Sequence, residues 1–177
     1  MRIDVRRKLA TSLVLILIAL LSALTVAGQV RQYTVGNGEY VLEMPSAEWR
    51  AVTIPGAAYP RDFRFSDDNG TLRVRIRREI VKNESVATTD VAERQRRLDR
   101  SSKRGYVTGT IEDFKGALSG TRYSYEYVSG GQQVATVIFY LRATKRSIYR
   151  IEFTGSPKML LDLVDQTASI ARSFRPK

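Results

Sequence analysis

The stretch TRYSYEYVSGGQQVATVIFYLRATKRSIYRIEFT, residues 121–154, decides the fold because it has the pattern of three β-strands joined by two tight turns. Tyrosines alternate with other residues before Gly130 and Gly131, which is typical of a strand with one buried face. The next segment, 132–142, is apolar at most of its central positions, as in a strand that is covered on both faces. The stretch therefore predicts an antiparallel meander.

The two turns give an expected register for the meander. One turn is expected at Gly130 and Gly131 and the other at Thr144 and Lys145. Together they place the tyrosines and several large apolar residues on one face of the sheet, which we call the tyrosine face. The expected pairs are Tyr123–Ile138, Tyr125–Thr136 and Tyr127–Val134, then Tyr140–Tyr149, Ile138–Ile151 and Thr136–Phe153.

Further strands and two helices are expected around this meander. Residues 72–77 alternate between apolar side chains and arginines, as in a strand with one buried face. A helix is expected from Asp90 to about Lys103, and another after Ser156, with Pro157 at its first position. The last helix is apolar enough to cover the tyrosine face, whereas the first has few apolar residues and is expected to cover the other face loosely.

Two short motifs resemble the PsbP-like superfamily, and in particular its uncharacterised bacterial members. The first is YVLEMP at 40–45 with Glu48 and Trp49 after it, and the second is DQTASIARSF at 165–174. The resemblance covers residues 33–175. It implies an α+β fold in which an antiparallel sheet is flanked by helices on both faces, an α/β/α sandwich.

The resemblance also implies a binding role without catalysis. A plant member of the superfamily is a lumenal subunit of photosystem II, and a eukaryotic relative binds the Ran GTPase. Neither function is transferred here, because no binding motif of the family can be mapped onto these residues.

The amino-terminal segment has the pattern of an export signal. Arg2, Arg6, Arg7 and Lys8 precede an uncharged, largely apolar run at 9–27. The run fits a cleaved signal peptide, and it also fits a single-pass membrane anchor, since about 20 apolar residues span a bilayer. We therefore expect a leader or anchor at 1–27, a connector at 28–32 and an extracytoplasmic domain, periplasmic or secreted, at 33–177.

The composition argues against most catalytic chemistry. The 177 residues contain no cysteine and no histidine, which excludes thiolate chemistry, a histidine-dependent catalytic triad and a histidine-ligated metal site. We expect no cofactor, no metal and no enzymatic activity.

The net charge is +11, and 22 of the 29 basic residues are arginines. Outside the cytoplasm, such a surface favours a protein or an anionic component of the envelope or membrane over nucleic acid. The candidate anion- or partner-binding residues are Arg73, Arg75, Arg77 and the neighbouring Arg78. The alternative is an ordinary solvated strand face.

A second candidate site is a charged cluster of Glu126, Arg150 and Glu152. The expected register places these residues together on the face opposite the tyrosines, with the two carboxylates about 10–12 Å apart. This spacing exceeds the range of about 6.5–9.5 Å for an inverting glycosidase. Ion pairing is therefore the favoured interpretation, and the alternative function is a carboxylate-dependent envelope hydrolase that uses Glu126 and Glu152.

Overall fold

The computed structural model describes residues 30–52, 55–68 and 70–177. The expected leader at 1–27 lies outside these residues. Among them, no helix combines the length and the apolarity that a membrane span requires.

The described chain is an α+β fold dominated by antiparallel strands, which confirms the predicted class. Seven strands form a large sheet in the order β3-β4-β5-β9-β8-β7-β6. They are β3 Trp49–Val52, β4 Asp62–Asp67, β5 Gly70–Ile80, β6 Val107–Phe114, β7 Gly120–Ser129, β8 Gln132–Thr144 and β9 Ser147–Gly155.

A small sheet and three helices complete the described structure. The small sheet has the order β1-β2-β10 and joins the first strand to the last. Its strands are β1 Arg31–Val35, β2 Tyr40–Met44 and β10 Arg175–Pro176, and the helices are α1 Thr88–Ser102, α2 Pro157–Asp162 and α3 Val164–Ser173.

Local signals fix where the helices begin. The Asp90 carboxylate accepts a hydrogen bond from the Ala87 backbone N–H at 2.9 Å, so Asp90 stabilises the start of α1 from its third position and is not the cap itself. The Ser156 hydroxyl caps α2 by accepting from the Met159 N–H at 3.2 Å, as predicted. The expected last helix is divided at Leu163, where the backbone leaves the helical region.

The register expected at the first turn is confirmed, whereas the register expected at the second turn is wrong by one residue. Tyr123 lies opposite Ile138 as predicted, but Ile138 lies opposite Glu152 and not Ile151. The turn is Lys145-Arg146, and the register shifts between Arg142 and Thr144. A shift of one residue moves every side chain of β9 to the opposite face.

The corrected register separates two hydrophobic clusters on opposite faces of the large sheet. The tyrosine face carries Tyr123, Tyr125, Ile138 and Tyr140, which pack with residues of α1. The opposite face carries the phenylalanines of β8 and β9, and we call it the phenylalanine face. Its cluster includes Trp49, Phe63, Phe139, Ile151, Phe153 and residues of α2 and α3.

The prediction that the last helix covers the tyrosine face is therefore wrong. Ile170, Ala171 and Phe174 belong to the cluster of the phenylalanine face, while Val91 and Ala92 of α1 pack against the tyrosines. The apolar residues of β9 that were expected beside the tyrosines instead point toward α2 and α3. The predicted burial of β8 on both faces is confirmed, since Ile138 and Phe139 are both fully buried.

Replacing Phe153 by alanine should lower the free energy of unfolding by about 3–5 kcal/mol, because this fully buried ring leaves a cavity. Leu161→Ala is the matched control, since Leu161 is 73% exposed and its loss should change stability by less than about 0.5 kcal/mol. Urea denaturation measures both values. Equal effects of the two variants would contradict this assignment of the core.

Candidate anion-binding surfaces

The predicted arginine strip on β5 divides into residues with different partners. Arg73 and Arg75 point to the tyrosine side of the sheet and share the Asp62 carboxylate, at 3.8 Å and 3.1 Å. Arg77 lies on the same side and forms no ion pair with any described residue. Arg78 points to the opposite side, beside Tyr149. The strip is therefore not one continuous surface.

A different set of arginines lies side by side across three strands. Arg50 on β3 pairs with Arg64 on β4, and Arg64 pairs with Arg73 on β5. Directly opposed side chains in antiparallel strands have Cβ atoms about 4.5–5.5 Å apart, and like charges in this arrangement are destabilising. We call Arg50, Arg64 and Arg73 the arginine row. Sequence reasoning missed two of its members because they lie on short strands without an evident alternation.

The arginine row lies on an exposed part of the tyrosine side. Helix α1 packs against β6, β7 and β8, at the other end of the large sheet. All three arginines of the row are exposed. Within the described residues, the ion pair of the row joins Arg73 to the Asp62 carboxylate at 3.8 Å. The row is thus a cationic surface at the β3 edge of the sheet.

A cavity of about 520 Å³ lies where β5 continues beyond the start of β4. We call it the β5 cavity. Its lining includes Arg61, Arg77, Arg78 and Tyr149. Three of the predicted site residues, Arg75, Arg77 and Arg78, therefore line this cavity, although Arg78 leaves β5 on the side opposite to the other two.

The predicted cluster of Glu126, Arg150 and Glu152 is not formed. Glu126 pairs with Ala135 and lies on the phenylalanine side, whereas Arg150 and Glu152 lie on the tyrosine side. The one-residue shift at the β8–β9 turn is the reason. A hydrolase that uses Glu126 and Glu152 together loses its geometric basis, because the sheet separates the two carboxylates.

Arg150 and Glu152 instead belong to a polar network beneath α1. Their side chains form an ion pair at 3.1 Å, and an Arg150 guanidinium N–H donates to the Gln95 carbonyl oxygen at 3.3 Å. The Gln95 amide donates to Asp99 at 3.1 Å, and the Tyr123 hydroxyl donates to the other Asp99 oxygen at 3.5 Å. The network links α1 to β7 and β9 through buried polar contacts.

Asp99 is 3% exposed, and burial raises its pKa, although Gln95, Arg150 and Lys103 act in the opposite direction. Sequence reasoning missed this residue because one aspartate in a charged helix has no distinctive pattern. Its position on the buried side of α1, one turn after Gln95, is the signal that could have found it. Within the described residues, no group of acidic side chains could hold a metal ion.

Comparison with solved structures identifies the fold. LpqN of Mycobacterium tuberculosis, which is involved in cell envelope biogenesis, matches with a TM-score of 0.57 and 11% identity over 85% of this chain and 92% of its own. Cyanobacterial PsbP of Synechocystis gives 0.56 and 13% over 86% and 94%, and the Ran-binding protein Mog1p of Saccharomyces cerevisiae gives 0.52 and 8% over 84% and 95%. No family model and no curated protein sequence matches. The fold is therefore PsbP-like, as the sequence motifs imply.

Replacing Asp99 by asparagine should remove a pH dependence of stability. Because burial raises the pKa of Asp99, the folded protein keeps a proton that the unfolded chain has released. This contribution to stability is therefore lost as the pH rises from the usual aspartate pKa through the raised value. Urea unfolding between pH 4 and pH 8 should show a smaller decline for Asp99→Asn than for the parent protein.

The exposed Asp113→Asn variant is the control for the loss of one carboxylate. It should retain the decline of the parent protein. A decline that is unchanged in Asp99→Asn would show that this carboxyl group does not titrate differently in the folded chain.

Proposed function

We propose that this protein is a non-catalytic, extracytoplasmic accessory domain that docks onto a protein or an anionic component of the envelope or membrane. The observation that carries the proposal is the arginine row. Three exposed arginine residues stand directly opposite one another on neighbouring strands. Their mutual repulsion costs stability, and an anionic partner would offset that cost.

The structural relatives support an accessory role outside the cytoplasm. LpqN is involved in cell envelope biogenesis and Mog1p is a Ran-binding protein, so proteins with this fold include one with a role in the envelope and one that binds another protein. The basic and apolar pattern at 2–27 supports export. In this proposal the domain is a sandwich in which helices cover opposite faces of the large sheet, consistent with its two separate hydrophobic clusters.

The absence of histidine and cysteine from the sequence supports a role without catalysis. Three carboxylates of the described chain are engaged in other contacts. Asp62 is held by two arginines, Glu152 is paired with Arg150, and Asp99 is buried beneath α1.

Removing the charge of the arginine row should release the partner. The variant Arg50→Gln/Arg64→Gln/Arg73→Gln is expected to lower recovery of a cross-linked partner from native membranes by at least about tenfold, since each charge-assisted hydrogen bond contributes about 1.5–3 kcal/mol. Quantitative mass spectrometry of the tagged, full-length protein measures the recovery. Raised salt applied before cross-linking should also lower recovery of the same partner with the parent protein.

The matched control is Arg96→Gln/Arg97→Gln/Arg100→Gln on α1, which removes the same charge from another surface. It should retain the partner. Equal losses in both triple variants would indicate a response to net charge alone, and retention by the arginine-row variant would refute the proposed docking surface.

Export is tested by fusing alkaline phosphatase to the carboxyl end of the full chain. The fusion should be active, because this reporter needs disulfides that form outside the cytoplasm. The same fusion without residues 1–27 should be inactive. Activity in both, or in neither while the fusion is stably produced, would contradict the predicted leader.

A further inference from the structure

The β5 cavity has the charge and the donors of a site for a small anion. Its lining contains four arginines, Arg61, Arg75, Arg77 and Arg78, and one carboxylate, Asp62. Asp62 forms an ion pair with Arg75 at 3.1 Å, so the charges of these two residues neutralise each other. Arg61, Arg77 and Arg78 are the other arginines that line the cavity.

The remaining arginines are weakly compensated. Arg61 donates to the Asn37 side-chain oxygen at 3.4 Å. Arg78 donates to the Ser147 hydroxyl at 3.1 Å and lies 3.9 Å from the Glu39 carboxylate, which is 57% exposed. Exposed ion pairs of this kind contribute little. Arg77 has no ion pair with any residue in the described part of the chain. The cavity therefore keeps a positive charge that its own walls do not neutralise.

Tyr149 provides a hydroxyl donor at the wall of this cavity, while most of the residue is buried. The residue is 2% exposed and lines the cavity, yet its hydroxyl forms no hydrogen bond within 30–52, 55–68 and 70–177. Its ring is held between Tyr40 and Phe174, with centroid distances of 4.7 Å and 5.0 Å. Burial raises the pKa of Tyr149, so the hydroxyl stays protonated and able to donate at neutral pH.

Gly36 makes room for this hydroxyl. A Cβ atom at position 36 would lie 2.6 Å from the Tyr149 hydroxyl oxygen, and the backbone φ of +62° also favours glycine. The backbone at Gly36 thus lies so close to the Tyr149 hydroxyl that only glycine fits at this position. Gly36 and Tyr149 therefore lie next to each other in the lining of the cavity.

We infer that the β5 cavity binds a phosphate monoester, with Arg61, Arg77 and Arg78 and the Tyr149 hydroxyl as donors to its oxygens. Several donors converging on one cavity suit the three terminal oxygens and double charge of such a group better than the two oxygens and single charge of a carboxylate. The volume exceeds that of inorganic phosphate alone and leaves space for the rest of a small molecule or a headgroup. The site is separate from the arginine row, which does not line the cavity.

Calorimetric titration of the full-length protein in a non-ionic detergent with glycerol 3-phosphate tests the inference. Saturable binding with one site is expected. Tyr149→Phe and Arg61→Gln should each weaken binding by about tenfold, because each removes a hydrogen bond to a charged group. Arg97→Gln, an equal loss of charge on α1 and outside the cavity, should change affinity less than twofold.

The pH dependence distinguishes the ligand chemistry. The chain has no histidine, and a phosphate monoester gains its second charge near pH 6, so affinity should rise between pH 5 and pH 7.5. Acetate should bind much more weakly. Vesicles containing phosphatidic acid, compared with phosphatidylcholine vesicles, distinguish a lipid source of the same group from a soluble one.

Several results would overturn the site. These are the absence of saturable binding, unchanged affinity in both Tyr149→Phe and Arg61→Gln, an equal loss in Arg97→Gln, or affinity that does not change with pH. Thermal unfolding of each variant separates lost binding from lost folding, and Arg61 is exposed, so its replacement is expected to leave the fold intact. Loss of this site would leave the proposed docking role of the arginine row untouched.

Discussion

The structure depends on the burial of β8 on both faces. The central residues 135–141 of this strand are buried, and the fully buried neighbours Ile138 and Phe139 belong to two separate cores on opposite faces. Such a strand has no polar face to expose, so it requires cover on both sides. On one face of β8 the tyrosines pack with α1, and on the other face the phenylalanines pack with α2 and α3. A charged residue on a neighbouring strand lies on the same face of the sheet as the residue opposite it, because paired residues share a face.

Most of the fold was predictable because its signals are local. The alternation at 72–77, the glycine turn at 130–131 and the Ser156-Pro157 helix start each act within a few residues, and all three are confirmed. The second hairpin was not predictable in the same way. Its register depends on an irregularity between Arg142 and Thr144, and hydrophobic pattern alone allowed two registers, since β8 is apolar on both sides.

That single difference accounts for the errors at the candidate sites. In the observed register, the faces of β9 are exchanged relative to the expected register. Arg150 and Glu152 therefore lie beneath α1 and away from Glu126, and the apolar side chains of β9 lie on the side of the last helices. The arginine row was missed for another reason. It runs perpendicular to the chain direction, and its members lie on three different strands, so no spacing within a segment reveals it. Sites of this kind become visible only once strand order is known.

The small sheet has a consequence for how the molecule reaches its final form. Strand β2 lies between the first and the last described strands, and Glu43 binds both the Ser173 hydroxyl and the Arg175 guanidinium, about 130 residues later in the chain. These contacts cannot form while the carboxyl end is still being synthesised or translocated. The small sheet therefore stays open until residues 173–176 are available to pair with β2. Contacts of such long sequence separation carry a large loop-closure cost, so this sheet is expected to form late in folding.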